Sequence, residues 1–391
     1  MSIPSFPVQA DPTKPPSPAG GWSTQSVSIE DALVVPSDGN GMKQTCGVYD
    51  QDGVFQHHAA LWRGGVSLTT PSEVLPLSEA HLPGRWMWGG VLLNHFGHFL
   101  TEATSRFWAF PDLADDVKGI TFIHKRNGDV SELHHQFLKL CDIEAELKVI
   151  KTPTIVDELI IPGQGFGLGP ISFGTAAHQK LFRSAFAKDI TPDGPDRLYV
   201  SRSGLVAVKG GVIAEEAIEA EMAKNGYEIF HPQRYSLDVQ LARYKAAKKI
   251  VGLDGSAFHL AGFALRPDQD VAMIKRRSST AAMHIVSQLH GASGKAPPLI
   301  DVIDYDWIVE SRGRADRFSI GQINMPALGR ILDEHGFIDH HVLWDDLDPS
   351  MVKDEIAALS KRTKQKYVAR PTRSRIRADR RARRAAREAL K

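Results

Sequence analysis

From residue 197 the chain repeats one pattern, a short apolar run followed by a segment with helical spacing. RLYVS, YEIFH, KKIVGL and DVAMIK read as strands; 213–224, LDVQLARYKAA, SAFHLAGFAL and AAMHIVSQLH read as the helices between and after them. Strand and helix alternating every ~10–15 residues imply parallel βαβ units, because consecutive parallel strands need a crossover that a helix supplies. A doubly wound sheet follows, and in such sheets ligands sit outside the carboxyl ends of the strands. Two spots meet that condition: Ser201-Arg202 after RLYV, and LDGSAFH (253–259) after KKIVG.

The first half is less regular. Residues 44–80 hold short alternating pieces broken by Gly-Gly and Pro, which suggests β-hairpins. VKGITFIH reads as a strand, 131–141 as a helix, and 146–151 and 155–161 as strands. The run GQGFGLGPISFG (163–174) has glycines like a dinucleotide loop, but Pro170 stands where its last glycine belongs and no helix follows. It is expected to be a flexible crossing between two domains.

Between these lies WMWGGVLLNHFGHFLTEATSRFWAF (86–110), which reads as one strongly apolar helix. Asn94, His98, Glu102 and Arg106 recur at every fourth position and would form one slanted stripe. Polar groups on a buried helix are costly unless partnered or facing a wet cleft. Two readings stay open: an internal i,i+4 ladder, or a stripe facing an active-site cleft.

Charge is divided unevenly. Residues 361–391 carry fourteen Lys or Arg against two acids, a net of +12, while residues 1–360 carry 33 basic and 44 acidic groups, a net of −11. The tail is a separate electrostatic object: a solvated helix, a nucleic-acid or other polyanion binder, or a contact with anionic lipid. Its single aromatic, Tyr367, argues against a stacking surface for nucleic acid. No run of 18 apolar residues is present, so no spanning helix is expected. The Pro-, Ser- and Gly-rich start has no secretory pattern and suggests a disordered or extended arm over 1–40. Cys46 and Cys141 match no zinc spacing and read as free thiols in a reducing cytoplasm.

Among site candidates, Gly255 and Ser256 would open a helix whose free N–H groups favour an anion, with Asp254 as N-cap or binding residue. His259, one turn in, could reach a nucleotide or pack. Arg202 could clamp a diphosphate bidentately or be an ordinary surface arginine. A metal is not expected: there is no HExxH motif, and the pairs His57-His58 and His134-His135 cannot put both rings on one face. Asp301, Asp304 and Asp306 read as a solvated strand end.

These pieces together resemble glycosyltransferase family 61, which includes bacterial capsular polysaccharide biosynthesis proteins. NHFGHFLTEATSR resembles the family's Asn-x-x-x-His-x-x-x-Glu/Asp helix. RLYVSR, the acidic start at Glu215-Glu216, and GYEIFHPQRYSLDVQLARYKAAKKIVGLDGSAFHLAGFAL follow in the family's order. The resemblance implies an α/β, GT-B-like fold with two Rossmann-like halves: an acceptor side over 41–170, with a β-rich portion, and a nucleotide-sugar domain over 171–345. A basic helical tail over 346–391 would follow. It implies inverting, metal-independent transfer from a nucleotide sugar to a glycan or glycolipid, with no cofactor beyond that co-substrate. His98, oriented by Glu102, would be the base, with Glu102 itself the alternative. Arg202, Lys209, Asp254, Gly255, Ser256 and His259 would hold the donor, and Asn94 and Arg106 the acceptor side. The enzyme would be cytoplasmic, its tail a peripheral contact at the inner membrane face. The rival is a non-catalytic sugar-nucleotide or polyanion-binding protein acting through its tail.

Overall fold

The computed structural model describes residues 4–389 apart from 38, 40, 127, 206–209 and 340–342. The chain is α/β and divides into two compact units. Unit 1 comprises Met1–Thr191, Ser256–Pro267 and Ser287–Ala296, and unit 2 comprises Pro192–Gly255, Asp268–Val286 and Pro297–Lys391.

Unit 1 is built on β1 (Ser26–Val35), β2 (Gly47–Tyr49), the hairpin β3 (Trp62–Arg63) and β4 (Val66–Ser67), β5 (Ala80–Leu92), β6 (Gly119–His124), β7 (Glu146–Ile150) and β8 (Thr154–Pro162). Six of these form one sheet in the order β2-β1-β8-β5-β6-β7. β8, β5, β6 and β7 run parallel, whereas β1 is antiparallel to both of its neighbours. The strand β6, GITFIH, flanked by β5 and β7, is buried at every position, as the near-continuous apolar runs of covered parallel strands usually are.

Three expectations fail here. Ser26–Val35, assigned to a disordered or extended arm, is a ten-residue strand paired to β8 from Ser26↔Pro162 to Val34↔Thr154. Its order comes from this distant partner, which the local composition does not reveal. Residues 86–92 are the buried end of β5 and not helix. A short apolar run buried in a sheet has the same composition as a buried helix, so periodicity could not separate them. Finally, 163–167 is a buried part of unit 1: Gln164 is 0% exposed, takes the N–H of Trp62 at 2.8 Å and donates to the Trp62 carbonyl at 2.9 Å.

Unit 2 contains β9 (Arg197–Val200), β10 (Gly211–Val212), β11 (Glu228–Phe230), β12 (Lys249–Leu253), β13 (Asp270–Ile274) and β14 (Leu299–Ile300). Five of them form an all-parallel sheet in the order β11-β9-β12-β13-β14. Numbered within this sheet the order is 2-1-3-4-5, a doubly wound topology whose switch point falls between β9 and β12. Tyr199, Val251, Leu253, Ala272 and Ile274 pack with Ile218 and Met222 of the helix Glu215–Lys224 to form the core. The register Val200↔Gly252 puts the carboxyl ends of β9 and β12 level, so Arg202 and Asp254-Gly255 emerge together at the switch point.

A second sheet joins β10 to β15 (Ile303–Val309), β16 (Ile320–Ile323) and β17 (Tyr367–Pro371) in the order β10-β16-β15-β17. β17 pairs antiparallel with β15 from Tyr305↔Pro371 to Val309↔Tyr367. The segment assigned to a helical tail therefore contributes a strand, and only the helix Arg373–Ala389 follows it. No helix among the described residues is long and apolar enough to cross a membrane.

Candidate active site

Beyond β5 the chain enters a three-residue helix, α1 (Phe96–His98), and then a π-turn over Phe99–Ala103. Two threonine hydroxyls bond back along this turn, Thr101 to the Gly97 carbonyl at 2.9 Å and Thr104 to that of Leu100 at 2.7 Å. The wider turn carries one extra residue, so the four-residue spacing does not keep one face, and the predicted stripe breaks up. Only His98 and Glu102 remain together.

Glu102 is 1% exposed and is gripped by Arg63 from β3. Arg63 Nε lies 2.6 Å from Oε1 and Nη2 lies 2.8 Å from Oε2, a bidentate fork. His98 Nδ1 is 3.1 Å from Oε2 and 3.3 Å from Arg63 Nη2. Nδ1 cannot both accept from Arg63 and donate to Glu102. The carboxylate is nearer and charged, and Nη2 already points at it, so the proton belongs on Nδ1. Nε2 then carries a lone pair, the state a general base requires. Burial would raise the Glu102 carboxyl, but the hydrogen bonds from His98 and Arg63 reverse this and hold it below the ordinary value.

The other two stripe members have different work. Asn94 Oδ1 accepts from His124 Nε2 at 2.7 Å, at the end of the neighbouring strand β6. Arg106 is 2% exposed, donates to the carbonyls of Ala60 (2.9 Å) and Pro162, and is pushed down to about 9 by burial. It ties the sheet to the 57–62 segment, with these donors turned to backbone carbonyls.

In unit 2, Arg202 is 8% exposed and lies against the loop after β12. A Cβ on Gly255 would come within 2.6 Å of Arg202 Nη1, so the glycine is what lets the guanidinium approach the backbone. Glu215, 0% exposed, accepts the Arg202 N–H at 2.8 Å and the Tyr199 hydroxyl at 3.3 Å, and its own carboxyl is raised to about 8 by burial. Asp254 does not cap the following helix. Its Oδ1 accepts the Arg276 N–H at 2.8 Å, and its carbonyl accepts Arg276 Nε at 2.9 Å.

Arg276 and Arg277, which follow β13, were not among the sequence candidates. Burial, then the charge of Arg276 among its neighbours, pushes Arg202 down to about 10; the same two causes lower Arg277. Arg202 Nε and Arg277 Nε and Nη1 are buried with no hydrogen-bond partner among the described residues. Orphaned buried donors cost about 1–3 kcal/mol each, which an anion accepting from them would offset. The sequence signal was available: IKRR ends a parallel strand, the same rule that singled out Arg202. No comparable signal pointed to Arg63, 39 residues from Glu102.

Ser256 and His259 fall in unit 1 on α2 (Ser256–Ala264). Ser256 packs against Gly97, the neighbour of His98, and a Cβ there would meet its Cβ at 3.2 Å. His259 packs with Gln288, Nδ1 to Oε1 at 2.6 Å, while Gln288 Nε2 donates to the His259 carbonyl at 2.9 Å. Lys209 lies outside the described residues. Asp301 pairs with Lys275, Asp304 with Arg375, and Asp306 accepts the Ser278 N–H.

Residues 96–272 match the family model described as Glycosyltransferase 61, a span that takes in the His98–Glu102 turn, Arg202, Glu215 and the 254–256 loop. No curated protein matches the chain. Over residues 96–272 the chain is similar to glycosyltransferase family 61.

Proposed function

We propose that the protein transfers a sugar from a nucleotide-sugar donor to a glycan or glycolipid acceptor in surface polysaccharide assembly, with inversion, in a GT-B-like arrangement and without a metal. The observation that carries this reading is the set of arginines at the carboxyl ends of the unit 2 strands, with buried, unpartnered donors on Arg202 and Arg277. Such a cluster suits a departing diphosphate. Unit 1 carries the complementary group, a histidine whose Nε2 is kept as a base by a buried carboxylate. In the reaction, an acceptor oxygen attacks the anomeric carbon while the bond from that carbon to the diphosphate oxygen breaks. The hydroxyl proton passes to His98 Nε2, and the nucleoside diphosphate leaves with the electron pair.

Arg202, Arg277 and the Gly255 loop would hold the diphosphate, with Asp254 and Arg276 fixing the loop and Glu215 fixing the Arg202 backbone. The basic C-terminal helix supports a peripheral contact with an anionic membrane on the cytoplasmic side, where each basic residue near the surface contributes ~1 kcal/mol.

Calorimetry with UDP, GDP, CDP and CMP in EDTA tests the reading. Binding by the intact protein, weakened about tenfold or more in Arg202→Ala and Arg277→Ala, is expected, since each loses a charge-assisted contact. Binding that appears only with Mn²⁺, or that both variants retain, refutes it.

A further inference from the structure

The surroundings of His98 carry more positive charge than the catalytic pair requires. β5 and β6 are parallel neighbours, paired from Met87↔Ile120 to Leu92↔His124, so the segments after Leu92 and after His124 lie side by side at their carboxyl ends. The first leads to Asn94 and His98, and the second presents Lys125 and Arg126. Lys125 lines the same cleft as Arg63, with Gln44 and Leu93. Burial, then the charges of Arg63 and Arg126, lower the Lys125 ammonium, and Glu102 acts against them. Arg63 and Lys125 therefore share one cleft with Arg126 next to Lys125, and the nearby carboxylate, Glu102, is already occupied by the Arg63 fork and His98.

The cationic segment is held in place. His124 is 3% exposed, and its Nδ1 accepts two backbone N–H groups, from Arg126 at 2.9 Å and Gly128 at 2.8 Å. A nitrogen that accepts both carries no proton, so Nε2 bears it and donates to Asn94 Oδ1 at 2.7 Å. Burial favours this neutral ring, lowering the His124 pKa. Gly128 is required here because a Cβ would fall 2.4 Å from the His124 ring. The Lys125 carbonyl accepts from Gln44 at 3.4 Å, and its N–H meets the Leu92 carbonyl at 3.3 Å. Asn94, expected on the acceptor side, thus acts as a positioning residue for this segment through His124.

We infer that Arg63, Lys125 and Arg126 form an oxyanion subsite beside His98, and that the acceptor is an acidic glycan whose carboxylate or phosphate this subsite holds. Cations that outnumber the acid in one cleft are stabilised by an anionic ligand. The assignment to the acceptor rests on the transfer reading; the anion subsite stands without it.

The test is calorimetry on the full chain with tetragalacturonate and its carboxyl-reduced counterpart, and with mannose 6-phosphate and mannose. At least one acidic probe should bind about tenfold or more tightly than its neutral partner, the worth of one charge-assisted contact. Lys125→Ala/Arg126→Ala should abolish that preference and leave UDP affinity unchanged. Lys125→Gln/Arg126→Gln should do the same, and the unfolding temperature of both variants shows whether the fold is retained. A preference confined to tetragalacturonate assigns a carboxylate, and one confined to mannose 6-phosphate assigns a phosphate. No preference for either acidic probe, or a preference that both double variants keep, overturns the subsite. Loss of UDP binding with the acidic preference overturns the assignment to the acceptor. Failure of the wild type to bind any nucleotide, with the acidic preference intact, counts against the transfer reading and leaves the subsite standing.

Discussion

Replacing Glu102 by Gln tests the catalytic reading at its most exposed point, because the change is nearly isosteric and acts on the proton held by His98. In the wild type both carboxylate oxygens accept, Oε1 from Arg63 Nε and Oε2 from Arg63 Nη2 and His98 Nδ1. An amide offers one accepting oxygen. Facing the Arg63 fork, it turns its NH₂ toward His98 Nδ1, which then accepts, so the ring proton moves to Nε2. A ring protonated at Nε2 cannot take the acceptor proton. Loss of the base should lower the transfer rate by roughly 10² to 10⁴, equivalent to about 3–5 kcal/mol of barrier. The wrong tautomer alone can cost about 10⁴ at an analogous carboxylate–histidine pair.

The same substitution has a stability cost that must be separated from the kinetic one. Removing one partner of a buried pair costs about 3–5 kcal/mol, but a quarter of the Arg63 side chain reaches solvent and one hydrogen bond to the amide survives. About 2 kcal/mol remains, a fall of roughly 4–8 °C in melting temperature for a unit of this size. The assay is nucleoside diphosphate release from nucleotide sugars, measured on protein shown by calorimetry to be folded, with ¹⁵N NMR reporting the His98 tautomer. A folded Glu102→Gln protein that keeps its rate within about threefold, or whose His98 still carries its proton on Nδ1, would refute the reasoning.

Three further outcomes are expected. Glu215 is raised to about 8 by burial, against 4.5 in the unfolded chain, so the linked stability is full below pH 4.5 and is lost as pH rises from there to 8. Glu215→Gln should therefore melt like the wild type at pH 4 and progressively higher than it toward pH 8, by about 1.4 kcal/mol per unit; parallel curves would count against a neutral buried carboxyl. Arg106→Ala should destabilise unit 1 by about 3–5 kcal/mol, since it opens a cavity and strands two carbonyls, while a folded Arg106→Lys should keep acceptor affinity; a stable Arg106→Ala protein would restore the acceptor-side role. Deleting residues 373–391 should preserve the melting temperature and abolish binding to vesicles containing anionic lipid, whereas deletion from 361 should unfold part of unit 2 by removing β17; intact vesicle binding after the shorter deletion would exclude the helix as the contact.

Unit 2 was legible because each of its elements announces itself locally. RLYV, KIVGL and DVAMI are apolar runs that turn signals separate from helices with their own period, and the parallel order follows from alternation alone. Unit 1 was less so, since its order depends on distant pairings: β1 is strand only because β8 lies beside it 130 residues later, Ser28 Oγ donating to Glu158. The sequence of β1, with acids at 30 and 31, carries no sign of this. WMWGGVL failed for a different reason, being apolar on both faces as a covered strand must be, which removes the alternation that would have marked it.

The His98–Glu102 pair was visible in the sequence, but the reason for its geometry was not. Fourfold spacing brought His98 and Glu102 together and wrongly enlisted Asn94 and Arg106, because the spacing rule assumes a helix that neither starts nor changes pitch inside the window. The structure starts the helix after Asn94 and widens it at Phe99, which leaves only His98, just before the wide turn, and Glu102, within it, in contact. What makes Glu102 a usable carboxylate while 1% exposed is then supplied from outside the helix by Arg63, on a two-residue strand followed by the turn Gly64-Gly65. A buried carboxylate without a cation would be held protonated and could not fix the histidine tautomer. The charge state of Glu102 therefore depends on a long-range contact. The same limit applies to Lys125, an ordinary surface residue in sequence that the pairing of β5 with β6 brings to the cleft lined by Arg63.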